Sequence, residues 1–124
     1  MSGILITWIG RTDLRAVKES EQVGLGPIAQ AIEARDFSTA YLISNYSDDE
    51  VKPYLKWLRS RKPLEIVLHT IRLTTPTDFG EIYHTAVAVI EEALQKHGQE
   101  SRLTFHLSPG TPAMAAVWIL LAKA

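Results

Sequence analysis

The feature that most constrains the fold is an alternation. Four short runs of strand-forming residues each lead into a polar turn and then into a stretch with helical spacing. Ile4–Ile9 (ILITWI), Thr39–Ser44 (TAYLIS), Leu64–Leu73 (LEIVLHTIRL) and Arg102–Leu107 are the four runs. They are rich in β-branched and aromatic residues and lack strict polar alternation, as in strands covered on both faces. Between them lie helical patterns. Pro27 opens one, with Ile28, Ala31, Ile32 and Arg35 marking its face. Val51, Tyr54, Leu55 and Leu58 mark the next. Ser47 stands as its N-cap with Glu50 three residues on, a capping-box pattern. Ile82, Ala86, Val89, Ile90, Ala93 and Leu94 form the cleanest amphipathic face, stopped by "KHG" at 96–98. A last helix starts near Thr111. Strands separated by helices in this way are parallel and joined by right-handed crossovers. The expected architecture is a Rossmann-like three-layer αβα sandwich of class α/β. A switch point beside the first strand gives strand order 3-2-1-4.

One segment resists this scheme. Gly10–Gly26 (GRTDLRAVKESEQVGLG) is polar and reads as a long irregular loop, the kind usually tied to function. At the other end, 114–124 (MAAVWILLAKA) is apolar on nearly every face. A helix of that kind needs cover on several sides. The expectation is a single domain, 1–124, excised from a longer protein or forming half of a dimer.

Bulk properties remove several classes. The chain has 124 residues, 46% hydrophobic and 22% charged, with net charge −1. That fits one globular domain and lacks the overall basic excess of a nucleic-acid-binding module. There is no cysteine, which removes disulfides, thiolate metal sites and a cysteine nucleophile. No apolar run reaches the roughly 18 residues of a membrane helix, and Ile4–Ile9 is too short, and lacks the basic flank, for the apolar region of a signal peptide. A cytoplasmic protein is expected.

In an open α/β sheet, ligands bind beyond the carboxyl ends of the strands. Residues after the first strand are Gly10, Arg11, Thr12 and Asp13; after the second, Asn45, Tyr46 and Ser47. After the third come Thr74, Thr75, Pro76, Thr77 and Asp78; after the fourth, Ser108, Pro109, Gly110 and Thr111, with Met114 in the following helix. This rim of hydroxyls, amides, glycines and one arginine suits a phosphate or a hydroxylated ligand, and the helix after "SPGT" points its positive end there. Each piece also has a plain structural use. Ser108, Thr111, Asp78, Asn45 and Ser47 are all acceptable helix caps, and Gly110 permits a tight turn.

Other signals are weak. "GLGPIA" (24–29) matches G-x-G-x-x-A but does not follow a strand directly. The four histidines have no metal spacing; His69 and His106 fall in strands, His84 and His97 on a helix. Glu91 and Glu92 lie on a polar helix face. Trp8 and Trp118 are core candidates, and Trp57 covers a helix edge. No Walker A loop, G-x-S-x-G elbow or HExxH motif occurs. No catalytic residue, metal or cofactor is assigned.

The strand–turn–helix "SPGTPAM" (108–114) within this element order resembles the CARF (CRISPR-associated Rossmann fold) domains. Those carry a G-T-x-x-M turn after the fourth strand, here Gly110, Thr111 and Met114, and a polar loop after the first, here Gly10–Asp13. The "SPGT…WILLAK" wording, with Trp118, is most similar to the N-terminal sensor domains of RtcR-like regulators, which are sigma-N-dependent transcription activators with an AAA+ ATPase domain. Pro109 and Pro112 stand where many members have a glycine and a lysine. The resemblance implies a homodimeric sensor of an RNA-derived ligand, either cyclic oligoadenylate or RNA ends. That ligand would control an attached or partner effector, an AAA+ activator or a nuclease. Gly110, Thr111 and the helix start would hold a phosphate or ribose. Arg11 and Thr12 would close over it, and Asn45 and Asp78 would read base or ribose edges. A ring nuclease, metal-independent because the ribose 2′-hydroxyl attacks in line, and a purely dimerising module are the alternatives.

Overall fold

The computed structural model describes residues 3–75 and 77–123; Pro76 and Ala124 of the calls above lie outside them. The chain runs β1 (Gly3–Trp8), α1 (Arg11–Val23), α2 (Pro27–Ala34), β2 (Phe37–Ser44), α3 (Asp48–Arg61), β3 (Glu65–Thr70), α4 (Phe79–His97), β4 (Leu103–Phe105) and α5 (Pro112–Ala122). All pairings are parallel, as the alternation predicts, and the strand order is β3-β2-β1-β4, the order expected of a switch point beside the first strand.

The register sorts the side chains into two cores. Ile4, Ile6 and Trp8 of β1, with Tyr41 and Ile43 of β2, face one side. There they pack against Ile82, Ala86, Val89 and Ala93 of α4 and Met114, Val117 and Trp118 of α5. Leu5 and Ile9, with Ala40 and Leu42, face the other side, against Ile28, Ala29 and Ile32 of α2 and Val51, Tyr54, Leu55 and Leu58 of α3. The two central strands are buried along almost their whole length, whereas β3 and β4 are half-covered edges. Trp8 and Trp118 are core residues, and Trp57 packs at the margin of the second core. Burial on both faces explains why β1 and β2 read as nearly continuous apolar runs.

Three expectations need correction. Residues 11–23 form a helix, bent at Glu19, where an irregular loop was expected. Its face toward the core is narrow, with Asp13 and Ala16 buried and Leu14 and Val17 half-buried. A carboxylate thus occupies a position that hydrophobic periodicity scores as polar, and the helical period is hidden. Arg35 is not on the α2 face: it is exposed just past the helix, 5.6 Å from the Phe37 ring centroid. His106 is not within a strand: β4 ends at Phe105, one residue before it. Glu92 is exposed, as its polar helix face implies, with its Oε2 2.9 Å from Nε2 of His69.

The expected capping box of α3 forms by half. The Ser47 hydroxyl accepts from the Glu50 amide, while the Glu50 carboxylate takes the Ser47 hydroxyl proton at 3.3 Å. Around α5, Met114, Val117 and Trp118 are buried, but Ile119 and Leu120 are about half exposed. Trp118 stacks on Phe105, with ring centroids 4.8 Å apart. No helix among the described residues is long and apolar enough to cross a membrane.

Candidate functional site

The carboxyl ends of β1 and β2 and the segment after β4 open into a cleft of about 340 Å³. Its lining consists of Ile9, Gly10, Arg11, Thr12, Asp13, Pro27, Asn45, Tyr46, Ser108, Pro109, Gly110, Thr111 and Met114. A larger hollow of about 780 Å³ lies elsewhere, along β4 and between α4 and α5. Its lining is mostly apolar. We place the candidate site in the smaller cleft, because there, unlike in the larger hollow, polar side chains meet the starts of α1, α2 and α5 at the strand ends.

Of the seventeen rim residues named from the sequence, eleven line this cleft: Gly10, Arg11, Thr12, Asp13, Asn45, Tyr46, Ser108, Pro109, Gly110, Thr111 and Met114. The structure does not bring Thr75 or Asp78 into it. Asp78 is the N-cap of α4, its Oδ1 accepting from the Glu81 amide at 3.0 Å, and the Thr75 hydroxyl pairs with that of Thr77 at 2.9 Å. Both therefore have the plain capping or turn role.

Asp13 organises the floor. It is fully buried. Its Oδ2 accepts from the Gly10 amide at 2.9 Å and its Oδ1 from the Ile28 amide at 3.0 Å. One carboxylate thus satisfies an orphan donor at the start of α1 and another at the start of α2, beside both positive helix ends. Burial pushes its carboxyl above the usual carboxylate range; the Ile28 and Gly10 amides and nearby His106 pull it back only in part. His106 closes the same corner, its Nε2 lying 2.9 Å from the Pro27 carbonyl oxygen. Since a carbonyl only accepts, Nε2 carries the proton, and Nδ1 faces the Ser108 amide at 3.5 Å. Neither Asp13 as a clasp nor His106 as a strut is visible in any local motif. The Gly10 contact is local, three residues away, but Ile28 for Asp13 and Pro27 for His106 lie far off in sequence.

The "GLGPIA" stretch is explained by this clasp. Gly26 has a φ of 83° and sits so close to Asp13 that a Cβ would come within 3.0 Å of its Oδ1. The second glycine makes room for the carboxylate, and no dinucleotide loop is formed. On the opposite wall, a Cβ on Gly10 would meet the Gly110 amide nitrogen at 2.9 Å. The loops after β1 and β4 therefore pack backbone against backbone. Thr111 caps α5, its hydroxyl accepting from the Met114 amide.

At the mouth, the Arg11 guanidinium lies 4.5 Å from the Tyr46 ring centroid and 2.8 Å from Glu50 Oε2. Asn45 Oδ1 accepts from the Leu73 amide at 3.1 Å, tying the loop after β2 to the segment after β3. The Ser44 hydroxyl accepts from the Tyr46 amide. No group of three or more histidine, cysteine, aspartate or glutamate residues among the described residues could hold a metal ion. The arrangement offers backbone amides, hydroxyls, an aromatic face and one cation. Such a set can bind an anionic, hydroxylated, planar ligand.

Together the sheet order and the rim cleft define the class: a Rossmann-like α/β domain with a cleft at the carboxyl edge of a parallel sheet. Among solved structures, the chain is similar in fold to Enterococcus italicus Csm6 bound to cyclic hexa-2′-fluoro-hexa-dAMP. The TM-score is 0.79 at 17% sequence identity, over 98% of this chain. The chain spans 30% of that protein's length. No family model and no curated protein matches the sequence.

Proposed function

We propose that this domain is a CARF-type sensor of an RNA-derived nucleotide ligand, with cyclic oligoadenylate as first candidate and RNA ends as second. The observation that carries the reading is the rim cleft itself, where the starts of α1, α2 and α5 and the loop after β2 meet around hydroxyls, amides and one arginine. At about 340 Å³ the cleft is at the small end of ligand cavities, so a whole oligonucleotide would extend beyond it along the rim. The fold shared with a protein caught holding a cyclic adenylate analogue supports the same ligand class. In this reading, phosphate or ribose rests on Gly110, Thr111 and the start of α5. A base stacks near Tyr46, and Arg11 meets a phosphate. Ligand occupancy then regulates an attached or partner effector, such as an AAA+ transcription activator or a nuclease, in a homodimer.

The test is calorimetry with cyclic oligoadenylates and with short RNAs ending in a 2′,3′-cyclic phosphate, followed by chromatography of the mixtures. Saturable binding of intact ligand supports the sensor and names its ligand. Linear products would make the domain a ring nuclease. No binding of either by folded protein would overturn the reading. A purely dimerising role is favoured by one observation, the half-exposed Ile119 and Leu120 beside the apolar hollow.

A further inference from the structure

Arg11 sits on a ridge. It is the first residue of α1 and lines both the rim cleft and a neighbouring hollow between α1 and α3. Among the described residues lining the cleft it is the only cation. The one carboxylate there, Asp13, is committed to two backbone amides. Yet Arg11 already has an anion: its Nη1 is 2.8 Å from Glu50 Oε2. The second Glu50 oxygen accepts from the Ser47 hydroxyl at 3.3 Å. The carboxylate is thus anchored at the start of α3, where the helix dipole favours its charge.

We propose that Glu50 competes with the ligand for Arg11: the carboxylate holds the guanidinium at the rim, and a ligand phosphate takes its place. The proposal rests on the cleft being the nucleotide site. Three features make the exchange feasible. The Arg11 and Glu50 side chains are 59% and 45% exposed, so the pair is weak and open to water. A phosphodiester offers the guanidinium two non-bridging oxygens that share one charge, a two-pronged acceptor that the single carboxylate contact at Nη1 does not match. The Tyr46 ring, against which the guanidinium lies, does not depend on which anion is bound, so the arginine plane stays presented during the exchange. The competing carboxylate therefore sets a threshold. Ligands with a phosphate at this position gain from Arg11 only after displacing Glu50, and neutral nucleosides gain nothing.

The test is a double-mutant cycle read by calorimetry with cyclic hexa-adenylate. Glu50→Gln keeps the side-chain shape and its bond to Ser47 but removes the competing charge. It should tighten binding about threefold, the scale of an exposed pair. Arg11→Ala should weaken binding roughly tenfold, and adding Glu50→Gln to Arg11→Ala should change nothing further. A second readout is the Arg11 Nε–H resonance in protein labelled with 15N-arginine, titrated with inorganic pyrophosphate. It should shift at lower pyrophosphate concentration in Glu50→Gln than in the wild type. If hexa-adenylate binds wild type and Glu50→Gln equally, or if Glu50→Gln still tightens binding without Arg11, the exchange is overturned while the nucleotide site stands. If pyrophosphate competes with Glu50 but neither hexa-adenylate nor an RNA ending in a 2′,3′-cyclic phosphate binds, the exchange stands and the nucleotide reading falls. If none of the three binds folded protein, both are overturned.

Discussion

Replacing Asp13 by asparagine tests the clasp beneath the cleft. The two amides that Asp13 accepts lie on opposite sides of one buried carboxylate, 2.9 and 3.0 Å away. An asparagine side chain can accept only one of them. Its NH2 group then faces the other N–H donor, so one bond is lost and a buried donor is left without an acceptor. A buried unsatisfied donor costs about 1–3 kcal/mol. Asparagine recovers part of this, because the neutral amide escapes the burial cost that raises the carboxyl pKa. The net expectation is a loss of about 2 kcal/mol, or roughly 6 °C in Tm for a domain of this size. The pH dependence has a definite sign. The folded pKa of Asp13 lies above its ordinary value, so the folded state holds the proton more tightly than the unfolded chain. Its contribution is full below the ordinary carboxyl pKa of about 3.9 and declines as pH rises through the elevated folded value. The deficit of Asp13→Asn should therefore be larger near pH 4 than near pH 7. Urea unfolding of both proteins across that range is the assay. Equal stability, within about 0.5 kcal/mol, would refute the clasp. A deficit that grows with rising pH would mean that the amide donors outweigh desolvation.

Three other expectations follow from the same coordinates. The Tyr54 hydroxyl is buried with no hydrogen-bond partner among the described residues, and burial followed by the Asp13 charge pushes its pKa above the tyrosine range. Tyr54→Phe should leave stability unchanged or raise it by up to about 1 kcal/mol in thermal unfolding; a loss above that would reveal a hidden partner. Gly110 has a φ of 89°, and a Cβ there would come within 2.5 Å of Met114 Sδ. Gly110→Ala should cost about 1–2 kcal/mol and weaken nucleotide binding by displacing Met114 in the cleft wall, read by melting and calorimetry together. His69 and Glu92 pair at 2.9 Å with both side chains partly in water. His69→Ala should change stability by less than about 1 kcal/mol, checked by denaturant midpoint.

The layout of the molecule was legible because its periodicities are strong. Apolar strands alternate with the faces of α3 and α4, and the turn residues at Pro27, Asp78, Gly98 and Thr111 stand where the helices begin or end. Parallel pairing followed from the alternation, whereas the strand order rested on the usual switch-point arrangement. The first helix was not legible, because its buried face carries Asp13 and Ala16 in place of large apolar residues. For the cleft, position along the chain was enough to gather residues at strand ends. It could not separate those that line the cleft from those that cap a helix, as Asp78 does, since both roles favour the same small polar side chains. The clasp made by Asp13 and the Arg11–Glu50 pair depends on contacts between distant segments. No spacing rule encodes them.

The touching loops at Gly10 and Gly110 have a thermodynamic consequence. These glycines stand near opposite ends of the chain, and they meet only when β1 and β4 are paired and both following helices are in place. The cleft is therefore a property of the complete fold and of no fragment of it. A molecule bound there would oppose global unfolding, adding about 2.7 kcal/mol at a hundredfold excess over Kd, while leaving local fraying of β3 or of the end of α5 untouched. Hydrogen exchange would show that pattern as protection confined to amides that open only with the whole domain.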